Sequence, residues 1–337
     1  MKKYNHGMVL GKFYPPTLGH KYLIDTALEQ CVHVTLFMCS LKRETIPGRL
    51  RYYWLQLMYF YKPHLRIVWI QDELPQTPEE DINEISFYEK WCNVVYSNVP
   101  KGDLDVIFTS ETYGDEFASY LDVEHVLVDL PRDTYNVSGT AIRNNPIENW
   151  EYIPKEVKPY FKKKIVIMGP ESTGKSILTK KLSDYFNGDI VHEFGRTYTD
   201  IHVATEMDVE DFENIAKFHD TVLRTTISSG EKPLIFIDTD AITTKIFGKM
   251  YMGDSFKSKK INHIIEKQNF DLVLLCDIDV PWVDDGTRDF PKSEDRERHM
   301  QKIIRELQLR EQPYKLISGN YDERFELAKK YVNEINR

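Results

Sequence analysis

The sequence predicts an α/β protein of two domains in tandem, each built on a parallel sheet. Three observations predict it. The chain has 337 residues, enough for two globular units at about 100–200 residues each. Short apolar, β-branched runs alternate with amphipathic helical stretches along its whole length, the pattern of repeated βα units. The alternation breaks once, from Asn144-Asn145-Pro146 to the run Lys162-Lys163-Lys164, with Pro154 and Pro159 between them. The expected division is therefore 1–147, a linker at 148–163, and 164–337. The lysine run reads as the solvated end of that linker rather than as a nucleic-acid patch.

In the first half, strands are expected at 8–13, 32–38, 66–70, 106–110 and 125–129, where β-branched and aromatic residues cluster. Helices are expected at 20–30, 49–59 and 79–96, with Pro47 suited to a first helical turn. In the second half, strands are expected at 165–168, 189–192, 234–237, 272–276 and 314–317. The helical patterns between them cover 175–186, 209–227, 241–249, 256–267, a stretch ending at 307, and 323–335.

Composition narrows the function. Hydrophobic residues at 41% and charged residues at 29% are ordinary for a globular chain and exclude a disordered or collagen-like one. A net charge of −9 argues against binding nucleic acid over the whole surface, but leaves room for one local basic site. No apolar run approaches the ~18 residues of a membrane span. The apolar stretch behind Met1-Lys2-Lys3 ends at Gly11-Lys12, too short for a secretory signal. The four cysteines form no CxxC pair, so a disulfide or zinc scaffold is not expected and a reducing cytoplasm is.

The first predicted strand runs into Gly11-Lys12-Phe13-Tyr14-Pro15-Pro16-Thr17-Leu18-Gly19-His20, and His20 opens a helix. Gly19 permits close backbone approach to a ligand, and a helix start offers unpaired N–H groups to an anion. His20 can donate to a phosphate oxygen, with Lys12 as a second positive charge. A lone Gly-His pair would read as a surface loop; the whole string between a strand and a helix reads as a phosphate site. It resembles the (H/T)xGH signature of the nucleotidyltransferase superfamily, which implies a Rossmann-like sheet and a second motif downstream. That motif stands at Val137-Ser138-Gly139-Thr140-Ala141-Ile142-Arg143. Ser138 can cap a helix that carries Thr140 in its first turn and Arg143 one turn on, which groups hydroxyls and a guanidinium for a triphosphate tail. Thr109-Ser110-Glu111-Thr112-Tyr113-Gly114 follows a strand, where Ser110 and Glu111 are placed to contact the nucleotide. Nicotinamide-nucleotide members usually carry histidine where this chain has Thr17; threonine is familiar in the phosphopantetheine branch. The nucleotide-binding set expected from these motifs is Gly11, Lys12, Phe13, Thr17, Gly19, His20, Ser110, Glu111, Ser138, Thr140 and Arg143.

The strand at 165–168 is followed by Gly169-Pro170-Glu171-Ser172-Thr173-Gly174-Lys175-Ser176, a full GxxxxGK[ST] match. Such a loop wraps backbone N–H groups around the β-phosphate, Lys175 reaches the β and γ oxygens, and the Ser176 hydroxyl can hold Mg²⁺. Further on, a strand ends in Asp238-Thr239-Asp240, at the edge where such sheets bind ligands. One carboxylate can orient Mg²⁺, with Asp238 as the candidate ligand, and the other can accept a substrate proton; helix capping by either competes with these roles, and the division stays open. Glu193 and Arg196 stand where either substrate contacts or a surface salt bridge would fall, and Trp282 can stack on an aromatic ring or be partly buried in the core. The polar segment 279–295 reads as a lid whose Arg288, with Arg296 and Arg298 beyond, can neutralise a migrating phosphoryl group.

Together the two halves resemble the NadR family, a nicotinamide mononucleotide adenylyltransferase followed by a ribosylnicotinamide kinase. The resemblance covers nearly the whole chain. It implies a Rossmann-like nucleotidyltransferase sheet, then a P-loop kinase sheet, with ATP at both sites, Mg²⁺, nicotinamide riboside, nicotinamide mononucleotide and NAD. The catalytic residues it implies are His20, Arg143, Lys175, Asp238, Asp240 and Arg288. Some family members carry an N-terminal helix-turn-helix repressor domain. Here the first catalytic strand begins by Met8, so an enzyme without the DNA-binding function is expected. Three alternatives have specific discriminators. Thr17 suits a fused phosphopantetheine adenylyltransferase and dephospho-CoA kinase, against which the Arg143 motif and Asp238-Thr239-Asp240 speak. A fused flavokinase and flavin adenylyltransferase would lack this P-loop in its kinase. A nucleotide-sensing regulator would be free to lose Asp238, Asp240 or Arg143, and all three are present. Homo-oligomeric assembly and a transporter partner are left open.

Overall fold

The computed structural model describes residues 2–75, 80, 84–129, 133–201, 207–283 and 292–336. The chain divides into two compact units, Met1–Lys158 and Pro159–Arg337.

The first unit runs β1 (Tyr4–Gly11), α1 (Leu18–Gln30), β2 (Cys31–Cys39), α2 (Gly48–Met58), β3 (Leu65–Ile70), α3 (Glu84–Tyr96), β4 (Val106–Thr109), α4 (Gly114–Leu121), β5 (Glu124–Leu127) and α5 (Gly139–Asn144), and the short helix α6 (Lys158–Phe161) spans the division. Its five strands lie in the order β3-β2-β1-β4-β5, with every paired neighbour parallel. Both faces are covered, which is why its central strands read as unbroken apolar runs. Val9, Leu36 and Met38 face one core with Leu23, Ile24 and Ala27 of α1. Met8 and Phe37 face the other with Trp91 and Val95 of α3 and Phe117 of α4. The short helix α4 was not expected; eight residues are too few for helical periodicity to stand out.

The second unit runs β6 (Lys163–Met168), α7 (Lys175–Phe186), β7 (Asp189–Val191), α8 (Gly195–Ile201), α9 (Val209–Ser229), β8 (Leu234–Asp238), α10 (Ala241–Met252), α11 (Lys259–Lys267), β9 (Leu272–Cys276), α12 (Ser293–Leu309), β10 (Lys315–Ile317) and α13 (Tyr321–Ile335). Its strand order is β10-β9-β6-β8-β7, again parallel throughout. One core joins Val166, Ile237 and Leu275 to α9, α10, α11 and α12. The helix expected from 256 starts at Lys259, because Phe256 is drawn into the core and Ser258 takes the cap, accepting from the Ile261 N–H at 3.1 Å.

In both sheets the first strand of the unit lies centrally, and later strands are added on either side of it. Ligands of open α/β sheets bind beyond the carboxyl ends of strands at such a switch point, and each phosphate-type loop leaves that end of its central strand.

The lysine run is not a solvated end. Lys162 is buried, donating to the Thr226 carbonyl at 2.7 Å and pairing with Asp189 at 3.4 Å. Lys163 and Lys164 both reach Asp271. Local sequence could not show these carboxylates, the nearest of which lies 27 residues on.

Candidate functional site

In the first unit β1 delivers its loop to a cavity of about 890 Å³ lined by Gly11, Lys12, Phe13, Thr17, Gly19, His20, Ser110, Glu111, Ser138, Thr140 and Arg143 among others. All eleven predicted nucleotide contacts are thus brought to one cavity. Thr17 turns its hydroxyl toward the helix it opens. It is buried as the N-cap of α1, and its Oγ1 accepts from the His20 N–H at 3.1 Å. Its own N–H donates to His20 Nδ1 at 3.1 Å, which completes a capping box. A ring nitrogen that accepts leaves the proton of a neutral imidazole on the other, so this geometry assigns the Nε2–H tautomer to His20. Phe13 packs edge-on against the His20 ring at 5.1 Å.

Ser138 caps α5 as the spacing predicts, accepting from Ala141 N–H at 3.0 Å. Arg143 donates to the Tyr14 carbonyl and to Thr140 Oγ1, the latter at 3.0 Å. A Cβ at Gly139 would stand 2.5 Å from the Tyr14 carbonyl oxygen, so glycine is needed for this approach. Also lining the cavity, Thr109 donates to the Glu111 carbonyl at 3.0 Å and contacts His125 Nε2 at 2.8 Å, which shapes the 109–111 turn. Arg51, Glu44 and Tyr14 were not anticipated. Arg51 is fully buried and donates to the Lys12 carbonyl at 2.8 Å, to the Cys39 carbonyl and to Glu44, tying two loops beneath the cavity.

In the second unit the loop after β6 borders a cavity of about 310 Å³ lined by Glu171, Ser172, Thr173, Gly174, Lys175, Ser176, Glu193 and Arg196 among others. Gly169, Ser172 and Gly174 take positive φ of 149°, 58° and 78°, turning the loop tightly round. A Cβ at Gly169 would meet the Cys276 carbonyl at 2.8 Å. Lys175 is buried and donates to the Pro170 carbonyl at 2.9 Å. From the far end of the chain, Arg324 donates to the Thr173 carbonyl at 2.7 Å. Glu193, just before α8, and Arg196, in its first turn, reach the cavity; the sequence patterns gave no helix there.

The acidic pair separates into two environments. Asp238 stands beside Ser176; burial, reinforced by Glu193, raises its carboxyl above the usual range, and Lys175 and Ser176 only partly offset this. Asp240 instead caps α10, its Oδ1 accepting from Thr243 N–H and hydroxyl at 3.0 Å each. Burial pushes its carboxyl up to about 6 against those hydrogen bonds. Among the described residues Asp238 Oδ1, Thr239 Oγ1 and Asp240 Oδ2 are buried without hydrogen-bond partners. Between the two aspartates Thr239 has φ 73°, a left-handed conformation that costs a non-glycine residue ~1–3 kcal/mol and that tends to persist at functional sites. His219 of α9 also lines the cavity and was missed; burial lowers its imidazole from the usual range and favours the neutral form, which the nearby Asp238 backbone and Glu193 only partly offset.

The lid divides. Arg288 lies outside the described residues. Arg296 is buried and donates to the Val280 carbonyl at 3.1 Å, whereas Arg298 pairs with Asp295 at 3.1 Å on the surface. Trp282 is not among the residues lining the cavity, but the neighbouring Val283 N–H donates to Ser172 Oγ at 2.8 Å and ties this segment to the loop.

Two phosphate-type sites, each on a parallel sheet of its own, define a nucleotidyltransferase joined to a P-loop kinase. The AAA domain family matches residues 164–324, and the citrate lyase ligase C-terminal domain family matches residues 7–67. The trifunctional NAD biosynthesis/regulator protein NadR of Escherichia coli strain K12 is 32% identical over 98% of this chain and 83% of its own length. Its counterpart from Salmonella typhimurium strain LT2 is 32% identical over 98% and 84%. The chain belongs to the NadR family. Its fold matches crystal structures of NadR protein in complex with NR (TM-score 0.75, 21% identity, 99% of this chain and 97% of that one) and with NAD and AMP-PNP (TM-score 0.75, 22% identity, 100% and 98%).

Proposed function

We infer that the chain is a bifunctional enzyme of NAD biosynthesis, a ribosylnicotinamide kinase and a nicotinamide mononucleotide adenylyltransferase in one polypeptide. The observation that carries this is the pair of cavities, one on each sheet, in a chain of the NadR family. In the kinase unit the 5′-hydroxyl oxygen of nicotinamide riboside bonds to the γ-phosphorus of ATP as its proton is released, and the bond from that phosphorus to the β,γ-bridging oxygen breaks, leaving ADP. In the other unit a phosphate oxygen of the mononucleotide bonds to the α-phosphorus of ATP and pyrophosphate leaves, giving NAD. Neither step needs an enzyme nucleophile; positioning and charge stabilisation suffice.

In this reading His20 Nε2–H and Arg143 hold the phosphates of the first site. Lys175 exchanges the Pro170 carbonyl for phosphate oxygens at the second. Glu193 and Arg196 border the riboside. Asp238 and Ser176 fit Mg²⁺, since a hydroxyl and a carboxylate oxygen without a partner stand together at the end of the loop. The ion would supply charge neutralisation between the β- and γ-phosphates. Asp238 lies beside the loop and Asp240 is committed to α10, so Asp240 supports the turn in which Asp238 and Thr239 are set.

All four cysteines are free thiols and no described helix is long and apolar enough to cross a membrane, which supports a cytoplasmic enzyme. Incubation of the protein with ATP, Mg²⁺ and nicotinamide riboside should yield mononucleotide and then NAD by chromatography. Phosphorylation without NAD would remove the first activity, and no product at all would leave a nucleotide sensor.

A further inference from the structure

Tyr14 lines the cavity of the first unit and has no assigned role. The Arg143 guanidinium carbon is 3.9 Å from its ring centroid and that of Arg51 is 4.9 Å away. The phenol is tethered at its far end, in contact with Thr45 Oγ1 at 2.6 Å and accepting from the Thr45 N–H at 2.8 Å. Its carbonyl accepts from Arg143 at the near end. The two cations differ. Arg51 is buried and neutralised by Glu44, whose carboxylate also receives the Leu41 N–H at 2.9 Å. Arg143 has no carboxylate within ion-pair distance among the described residues. Its charge therefore rests on the π-face of Tyr14, which attracts a cation without neutralising it. Two of the five guanidinium N–H groups are spent, on Tyr14 and Thr140, and the rest remain for phosphate oxygens.

We propose that Tyr14 is a positioning residue for adenylyl transfer: its ring, anchored through Thr45 and backed by the buried Arg51, presents the Arg143 guanidinium to the triphosphate of ATP. A flexible arginine loses side-chain entropy when it is fixed on a ligand, and the ring and carbonyl of Tyr14 bear that loss before ATP arrives. The proposal rests on the reading of this cavity as an ATP site.

The test is steady-state NAD formation from mononucleotide and ATP by the full chain, with Tyr14→Phe, Tyr14→Leu, Arg143→Ala and the Tyr14→Leu/Arg143→Ala pair. Tyr14→Leu should lower kcat/KM for ATP about tenfold, the size of a partly desolvated cation–π contact. Tyr14→Phe, which keeps the ring and loses the tether, should stay within about threefold of wild type. In the Arg143→Ala background Tyr14→Leu should change the rate less than about twofold, because the group it positions is gone. An equal loss from Tyr14→Leu in both backgrounds would overturn the proposal, as would a Tyr14→Phe enzyme as poor as Tyr14→Leu. A wild-type protein that forms no NAD would refute the site reading itself and is distinguishable from either result.

Discussion

Arg324 Nη1 donates to the carbonyl oxygen of Thr173 at 2.7 Å, from the last helix of the chain to the phosphate loop, across 151 residues. The same guanidinium donates to the carbonyls of Gly319 at 2.7 Å and Asp277 at 2.9 Å and pairs with Asp279. It thus joins the ends of β9 and β10 to the loop from behind. Arg324→Met keeps much of the apolar stem and leaves these carbonyls unpaired. It should cost the second unit about 1–3 kcal/mol and lower kinase activity, while adenylyl transfer stays near wild type. Urea unfolding and the two separate activity assays check this; unchanged kinase kinetics would make Arg324 a stabilising residue without influence on the loop.

Lys175 lies in the second unit only, so its effect should be confined there. On the proposed reading Lys175→Ala removes the side chain that would reach the phosphates, and it should abolish riboside phosphorylation while leaving mononucleotide adenylylation near normal. The two assays on one folded variant decide it, and loss of both activities would contradict two independent sites.

His20 and Thr17 act as one capping unit but should separate kinetically. His20→Ala removes a preorganised donor and should lower adenylylation by about 10²–10³, with the kinase untouched. Thr17→Ala removes the cap, costing about 1 kcal/mol of stability, and frees the His20 ring, so its rate should fall less than that of His20→Ala. Thr17→Ser should restore both. Stopped assays and thermal unfolding of the three variants read the two effects apart.

Asp240 sets a pH dependence of stability. Its carboxyl is pushed by burial from 3.8 up to about 6, so between those values the folded state holds a proton that the unfolded chain has released. Stability from this group is therefore full below about pH 4 and is lost as pH rises through about 6, to the extent of about 3 kcal/mol. Asparagine caps a helix as well as aspartate does and carries no charge. Asp240→Asn should remove this dependence, so the variant should gain on wild type from pH 4 to 7 in urea titrations. If wild type and variant run parallel across that range, Asp240 is not buried in its neutral form.

Within each unit, what was legible in the sequence was whatever is carried by contiguous residues. Helix α7 and strand β9 fall where periodicity put them, because one is a capped 3.6-residue pattern and the other an apolar run buried on both faces. Both loops could be read because the phosphate chemistry proposed for them rests on backbone N–H groups and side chains within about ten residues of one another. The boundary between α10 and α11 was placed less well, since Phe256 leaves the helical pattern to enter a core that the local sequence does not display.

The sequence by itself determined the alternation of strands and helices, the two switch-point loops and the residues His20, Arg143, Lys175 and Asp238 that border them. Only the tertiary structure decided that Thr17 spends its hydroxyl on the helix cap, that Asp240 turns away to hold α10, and that Lys162 is buried. It alone brought Arg51 and Arg143 to the ring of Tyr14, and Arg324 to Thr173. The reason is range. A polar group chooses its partner from what lies within about 3 Å. For Arg143 and Tyr14 that partner is 129 residues away, and for Arg324 and Thr173 it is 151. Helix and strand periods carry no information over such separations. The sheet order supplies it, by bringing strand ends from distant parts of the chain to one edge.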